Sequence, residues 1–229
     1  MARLEFRPGF IYGWHAQLER PPKELSLHFT EMFRESVLRD HYTARGKGPG
    51  GEIPEHGIGL WTNWSTPLAH YVPFMDVGAF VIQKSHAAAQ AGRKFVVVDV
   101  GLGSGEQWLH VLKTPGLEFH ATSLTPTYHP DLEGKVKICN ADELHNHFAP
   151  NSVDLVVTSR GMHGTELAGL ENAHHILVPR GEVIARFEQS AQLRTPPIVD
   201  SAFFAAKDFF SLLNQGADGS SFSIHLQKC

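Results

Sequence analysis

The run KFVVVDV, Lys94 to Val100, followed by GLGSG and then EQWLHV, constrains this chain more than any other stretch. A strand-forming run that does not alternate with polar residues describes a strand covered on both faces, as in a parallel sheet. The glycines that follow let the backbone turn through conformations closed to other residues. Strand, glycine turn and helix start, in that order, open a β-α-β unit. Sheets built from such units bind ligands at the carboxyl ends of their strands. Ser104 and Gln107 form S-x-x-Q, a capping-box signature. A helix is therefore expected from there to about Lys113, stopped by Thr114-Pro115-Gly116.

The same alternation continues downstream. Leu117–Leu124, Val136–Cys139, Val153–Thr158 and Glu182–Phe187 read as further strands. Leu167, Leu170, His174 and Leu177 line one helical face, closed by Pro179-Arg180-Gly181. Ile198, Ala202, Phe203, Ala206, Phe209, Phe210 and Leu213 mark an amphipathic helix, and Phe222, Ile224 and Leu226 alternate in one last strand. The expectation is an α/β fold with a mostly parallel central sheet. The chain divides near Gly92: residues 1–92 read as a helical and loop extension, a cap or lid over substrate, and 93–229 as the core. Within the extension, Leu25, Phe29, Phe33 and Val37 space a helix over Glu24–Leu38, and Ala44–Gly59 is a Gly/Pro-rich loop. Ser65 or Thr66 before Pro67 marks the start of a helix that ends by Ala91-Gly92.

Composition narrows the classes of function. A formal charge of −4 with no Lys/Arg block argues against nucleic-acid and membrane-surface attraction. Two cysteines, Cys139 and Cys229, make no disulfide framework. The first ten residues lack the apolar core of a signal peptide, and no apolar run approaches the roughly 20 residues that span a bilayer. A cytoplasmic protein is expected.

The glycine turn discriminates among ligands. A phosphate-binding P-loop needs a lysine that is absent here. A dinucleotide site needs a third glycine where Glu106 stands, and a carboxylate there repels a pyrophosphate. What is left is D-x-G-x-G-x-G: Asp99, Gly101, Gly103 and Gly105. VVDVGLGSG resembles the first motif of the class I S-adenosylmethionine-dependent methyltransferases, most like their small-molecule branch. CNADEL (139–144), NSVDLVVTSRGMHG (151–164) and ENAHHILVPRGEVIARF (171–187) resemble later segments of that family in the same order.

The resemblance implies a Rossmann-like three-layer sandwich, S-adenosylmethionine as cofactor, and methyl transfer to an O, N or C atom of a small molecule. It implies that Asp99 helps hold the methionine ammonium, directly or through its loop. Asp142, with Glu143 beside it, faces the adenine, and Ser123, Leu124 and Ser159 complete the cofactor wall. Ser123 stands where the family usually has an Asp or Glu that chelates the ribose. SLTPTYHPDLEGK (123–135) is short where the family has a full helix, so a loop with at most one turn is expected. The family usually ends in an antiparallel strand pair; only one strand is read here, so an abbreviated edge is expected.

Several side chains carry two readings. His163, after the fourth strand, suits a general base, or is a loop histidine bonded to backbone. Trp61 and Trp64 either form a lid, meeting the sulfonium by cation–π attraction, or cover the sheet edge. Arg160 either meets an acceptor carboxylate or makes a surface ion pair. Glu188 touches substrate or is solvated at a strand end. His145 and His147 lie near Asp142 and Glu143, but no second cluster has metal-ligand spacing, so a solvated turn is the better reading and no metal is expected. His174 is expected to pack on the apolar face of its helix. A methyltransferase-like binding or scaffold protein without catalysis is the rival from another class. A protein methyltransferase is a further alternative, and a nicotinamide oxidoreductase comes last.

Overall fold

The computed structural model describes residues 67–103, 105–123, 128–159, 161–162, 166–188, 209–218 and 221–229, with a short ladder pairing Glu5–Phe6 with Trp14–His15. Seven strands form one sheet: β1 (Phe95–Val100), β2 (Leu117–Ser123), β3 (Val136–Ile138), β4 (Val153–Ser159), β5 (Leu177–Glu188), β6 (Phe210–Asp218) and β7 (Ser221–Lys228). Their order is β3-β2-β1-β4-β5-β7-β6. The first five run parallel, and β7 pairs antiparallel with both β5 and β6. The fold is the expected α/β fold with a mostly parallel sheet.

Side chains alternate between two cores. Val97, Leu155, Val157 and Ile184 pack beneath helix α1 (Val77–Gln90), with Val77, Val81 and Ala88. Val98, Val156, Val183 and Ala185 point to the opposite face with Leu170, Ala173 and Ile176 of helix α2 (Glu166–Ile176). This two-residue period on strands that are apolar at every core position is what a doubly covered sheet requires. Leu68, Tyr71 and Val72 share the first core, so the chain ahead of Gly92 is built into the sheet's packing from there on.

Helix α1 starts later than its sequence suggests. Pro67 leads only into a 3-10 turn, Leu68–His70. Val72 then bridges Met75 in extended form, because Pro73 restricts the residue before it and cannot donate inside a helix. Asp76 becomes the N-cap, its carboxylate accepting from Ala79 N at 3.0 Å. The helix ends at the expected Ala91-Gly92. Gly92 is left-handed (φ 70°), Gly92 N bonds Ala89 O and Arg93 N bonds Ala88 O, which is a Schellman closure. Lys84 fastens α1 to the sheet through Glu182 (3.2 Å), whose other oxygen meets His225 Nε2 at 2.6 Å. Burial pushes the Glu182 carboxyl up, but the His225 bond and the Lys84 charge outweigh it and hold it below its usual range.

Several sequence expectations are corrected. No α-helix follows the glycine turn: Glu106–Trp108 is a 3-10 turn running into further turns up to Lys113. Gln107 does not serve as a capping residue. Its amide nitrogen donates to Leu102 O and to the Tyr71 hydroxyl instead. Of the helix read from Ile198 to Leu213, Phe210 and Leu213 lie in β6, and 198–208 lie outside the described residues. The C-terminal edge is consequently a full antiparallel pair, β6 with β7. Pro179-Arg180-Gly181 does not separate helix from strand either. It lies inside β5, with Arg180 at φ 66° beside a register shift against β4. Among the described residues of the crossover between β2 and β3, 128–135, there is one 3-10 turn, at Pro130–Leu132. The helix expected over 24–38 lies outside the described residues.

Candidate functional site

Register brings the predicted motif residues to one end of the sheet. Val100 lies opposite Thr122 and Thr158, Ser123 opposite Ile138, and Ser159 opposite Arg186. The glycine turn, the loop after β3 and the loop after β4 thus leave the same carboxyl edge. β1 and β4 are adjacent, and connections from them run to opposite sides, so the turn stands at the switch point of the sheet.

Gly101, Gly103 and Gly105 all have left-handed φ, at 78°, 65° and 77°. Their space is not all left for a ligand. A Cβ on Gly101 would lie 2.3 Å from Gly161 Cα, and one on Gly161 would lie 1.8 Å from Val100 O. A Cβ on Gly105 would meet Leu132 Cδ1. The first two amides of the turn are also committed, since Gly101 N and Leu102 N both bond Thr122 O. Thr158 completes the joint. Its hydroxyl donates to Val100 O (2.8 Å) and accepts from Gly161 N (2.9 Å), tying the loop after β4 to the end of β1.

Asp99 is fully buried (0 % exposed). Its Oδ2 accepts from the Tyr71 hydroxyl at 3.0 Å and from the Trp108 indole, and its Oδ1 has no hydrogen-bond partner among the described residues. Burial drives the carboxyl up to about 7, against the lowering effect of the Trp108 and Tyr71 bonds. Burial, and then the Asp99 charge, push the Tyr71 hydroxyl well above its usual value. A carboxylate enclosed in this way is not presented to a ligand, so a direct bond from Asp99 to an ammonium group is not what this arrangement offers. Its contacts go to the frame of the turn. Tyr71, Gln107 and Trp108 form that frame; the sequence singles out Gln107 only as a capping residue, and Tyr71 and Trp108 not at all. Their one signal was chemical: a carboxylate inside an apolar strand needs buried donors, and EQW follows it at once.

The acidic loop folds as a capping box. Asn140 Oδ1 accepts from Ala141 N (2.8 Å), and Glu143 Oε2 accepts from Asn140 N (2.9 Å), opening the 3-10 helix Ala141–Asn146. Glu143 is thereby engaged in its own turn, while Asp142 is buried beside it. Ser123 is buried at the end of β2, its carbonyl accepting from Cys139 N (3.1 Å). Ser159 is half-buried at the end of β4. His145 is exposed and bonds Asn172, and His147 is exposed on the same turn. His174 packs against Phe209 and Phe210, with ring centroids 5.0 and 5.5 Å away, and burial lowers its pKa. Glu188 closes β5. Trp61, Trp64, Leu124, Arg160 and His163 lie outside the described residues. Two cavities flank the segment before α1. One of about 420 Å³ is walled by residues 69–70, 72–76 and Arg186, and one of about 330 Å³ lies between residues 67–69 and Asp76 and Glu106, Gln107 and His110. Neither has Gly101, Ser123 or Asp142 in its wall. Among the described residues no helix is long and apolar enough to cross a membrane.

No protein-family model matches the chain. It is 33% identical over 108 residues to the highly reducing polyketide synthase PKS6 of Gibberella zeae, a stretch that is 38% of this chain and 4% of that protein's length. Among solved structures it resembles the 1,6-didemethyltoxoflavin-N1-methyltransferase of Burkholderia thailandensis, crystallised with 1,6-didemethyltoxoflavin and S-adenosylhomocysteine. The identity is 17%, 99% of each chain is covered and the TM-score is 0.53. It also resembles the [4+2]-cyclase SpnF, at 11% identity, over 66% of this chain and 79% of that one, with a TM-score of 0.50. The sheet order, the antiparallel closing hairpin and these likenesses agree on one architecture: the chain has the Rossmann-like fold of the S-adenosylmethionine-dependent methyltransferases.

Proposed function

We propose that the chain binds S-adenosylmethionine at the carboxyl edge of β1, β2, β3 and β4 and transfers its methyl group to an O, N or C atom of a small molecule. One observation carries the reading. The described residues gathered at the switch point, Gly101–Gly103, Gly105, Ser123, Asn140–Glu143 and Ser159, include two carboxylates, and Arg186, opposite Ser159 on the next strand, is taken up by His70 O. Such a set repels phosphates and suits a ligand with an ammonium and a sulfonium group. The cofactor supplies an already activated methyl group. The chain's own work is then to align an acceptor with it and to keep water away. Asp142 is assigned to the adenine side and Ser123 to the ribose. Asp99 acts through the turn it anchors. His163 takes a proton from the acceptor where the acceptor must lose one. The polyketide synthase match makes a polyketide-type acceptor the first class to screen.

Titration calorimetry with S-adenosylmethionine and S-adenosylhomocysteine tests the reading, and the expected result is saturable binding of both. Absence of heat and of any thermal shift with either compound would overturn it. His163→Ala is expected to keep binding and to lower turnover by about 10²-fold or more. The second reading, a binding protein without methyl transfer, is favoured by Ser123. A single hydroxyl offers less than the two acceptor oxygens of a carboxylate. It predicts binding of the demethylated product without turnover of any acceptor.

A further inference from the structure

We propose that Tyr71 is a positioning residue that couples the segment ahead of α1 to the glycine turn, so that the two keep or lose their order together. Tyr71 comes from residues 67–76, outside the β-α-β unit, yet its side chain is buried among the supports of that unit's turn. Its hydroxyl donates to Asp99 Oδ2 (3.0 Å) and accepts from Gln107 Nε2 (3.0 Å). Gln107 Nε2 also donates to Leu102 O (3.0 Å), inside the turn. Asp99 in turn accepts from the Trp108 indole, and Trp108 stands edge-on to the Tyr71 ring, with centroids 6.4 Å apart. One hydroxyl therefore reaches the strand that enters the turn, through Asp99 two residues before Gly101, and the inside of the turn, through Gln107 and the Leu102 carbonyl between Gly101 and Gly103. Tyr71, Asp99 and Trp108 are buried, so water does not readily replace a bond lost between them, while Gln107 is 8 % exposed at the wall of the cavity of about 330 Å³.

The proposal rests on the function above only in its ligand arm. Tyr71→Phe keeps the ring and its packing and removes only the hydroxyl. In hydrogen–deuterium exchange without ligand, the variant should exchange faster in peptides covering 67–72 and 99–112, while α2 stays as in the wild type. The Trp108 indole N–H resonance, assigned by its loss in Trp108→Phe, should move, because Asp99 has lost its other donor. In an Asp99→Asn background, Tyr71→Phe should have a smaller effect on the 99–112 exchange than in the wild type. With S-adenosylhomocysteine as probe, affinity should weaken about tenfold, the size expected for one bond to a charged group, and KM for S-adenosylmethionine should rise with kcat little changed. Exchange unchanged over 99–112, or raised equally everywhere, would overturn the coupling. If Tyr71→Phe does not fold, Gln107→Met replaces it and must give the same pattern over 67–72 and 99–112. A wild-type chain that binds neither compound would sink the proposed function, while the exchange and resonance results would still decide the coupling.

Discussion

A carboxyl group sealed from water at the end of a central strand is costly to ionise, and Asp99 is in that position. Its pKa of about 7 stands against an ordinary value of 3.8, so the folded chain holds this proton more tightly than the unfolded one. Stability from this source is fully present below about pH 4 and is lost as pH rises through about 7, where the native group finally ionises. Asp99→Asn removes the titration and keeps the shape. The unfolding free energy of the variant minus that of the wild type should therefore rise between pH 4 and 8 by a few kcal/mol, at about 1.4 kcal/mol per pKa unit. Urea melts across that range measure it, and a difference independent of pH would contradict the burial argument. The sequence made Asp99 visible as a motif residue and hid its environment, because Tyr71 sits 28 positions away. Glu143 was similarly visible as an acidic residue near a ligand loop. Its capping bond to Asn140 is local, and N-A-D-E could have disclosed it as a polar cap followed three residues later by glutamate.

Elements with a two-sided core could be read from sequence almost to their ends. Phe95–Val100 and Val153–Ser159 needed only their apolar runs, because both faces of each strand are packed. β6 was misread for the opposite physical reason. It is an edge strand whose residues 211–215 are all exposed, and a register shift between Leu212 and Asn214 breaks the two-residue alternation. Phe210, with Phe209 just before the strand, therefore continues an apparent helical period in the sequence. The shortened segment after the glycine turn was misread because Trp108 and Gln107 are drawn inward by buried partners, which a helical pattern does not reveal. Helix α2 carries a capping arrangement of its own. The Lys228 ammonium donates to His174 O (2.8 Å), Leu177 O (2.7 Å) and Asn151 Oδ1 (2.9 Å), closing carbonyls at the helix end from the last strand of the sheet. Lys228→Met should lower stability by about 1–3 kcal/mol, read as a lower denaturant midpoint with unchanged m. An unaltered midpoint would mean that water replaces the ammonium without loss.

At the scale of the molecule, the closing hairpin decides whether the sheet has a usable outer boundary. β7 covers β5 along seven paired residues and buries Ile224 and Leu226 in the process. Removing residues 209–229 would expose a long, apolar strand edge, which is a template for association between chains. The shortened chain is expected to elute as large aggregates in gel filtration, where the full chain elutes as a discrete species. A soluble, cooperatively folding shortened chain would show that the parallel strands are self-sufficient. The carboxyl edge has a different boundary. Where β1 and β4 give way to their loops, Gly101 and Gly161 meet backbone to backbone, and Thr158 pins them from below. The gap between these two backbones is thus gauged by two methylene groups that have no rotamers to exchange. Its width cannot breathe by side-chain motion, and any methyl branch added at either place would wedge the two loops apart like a shim.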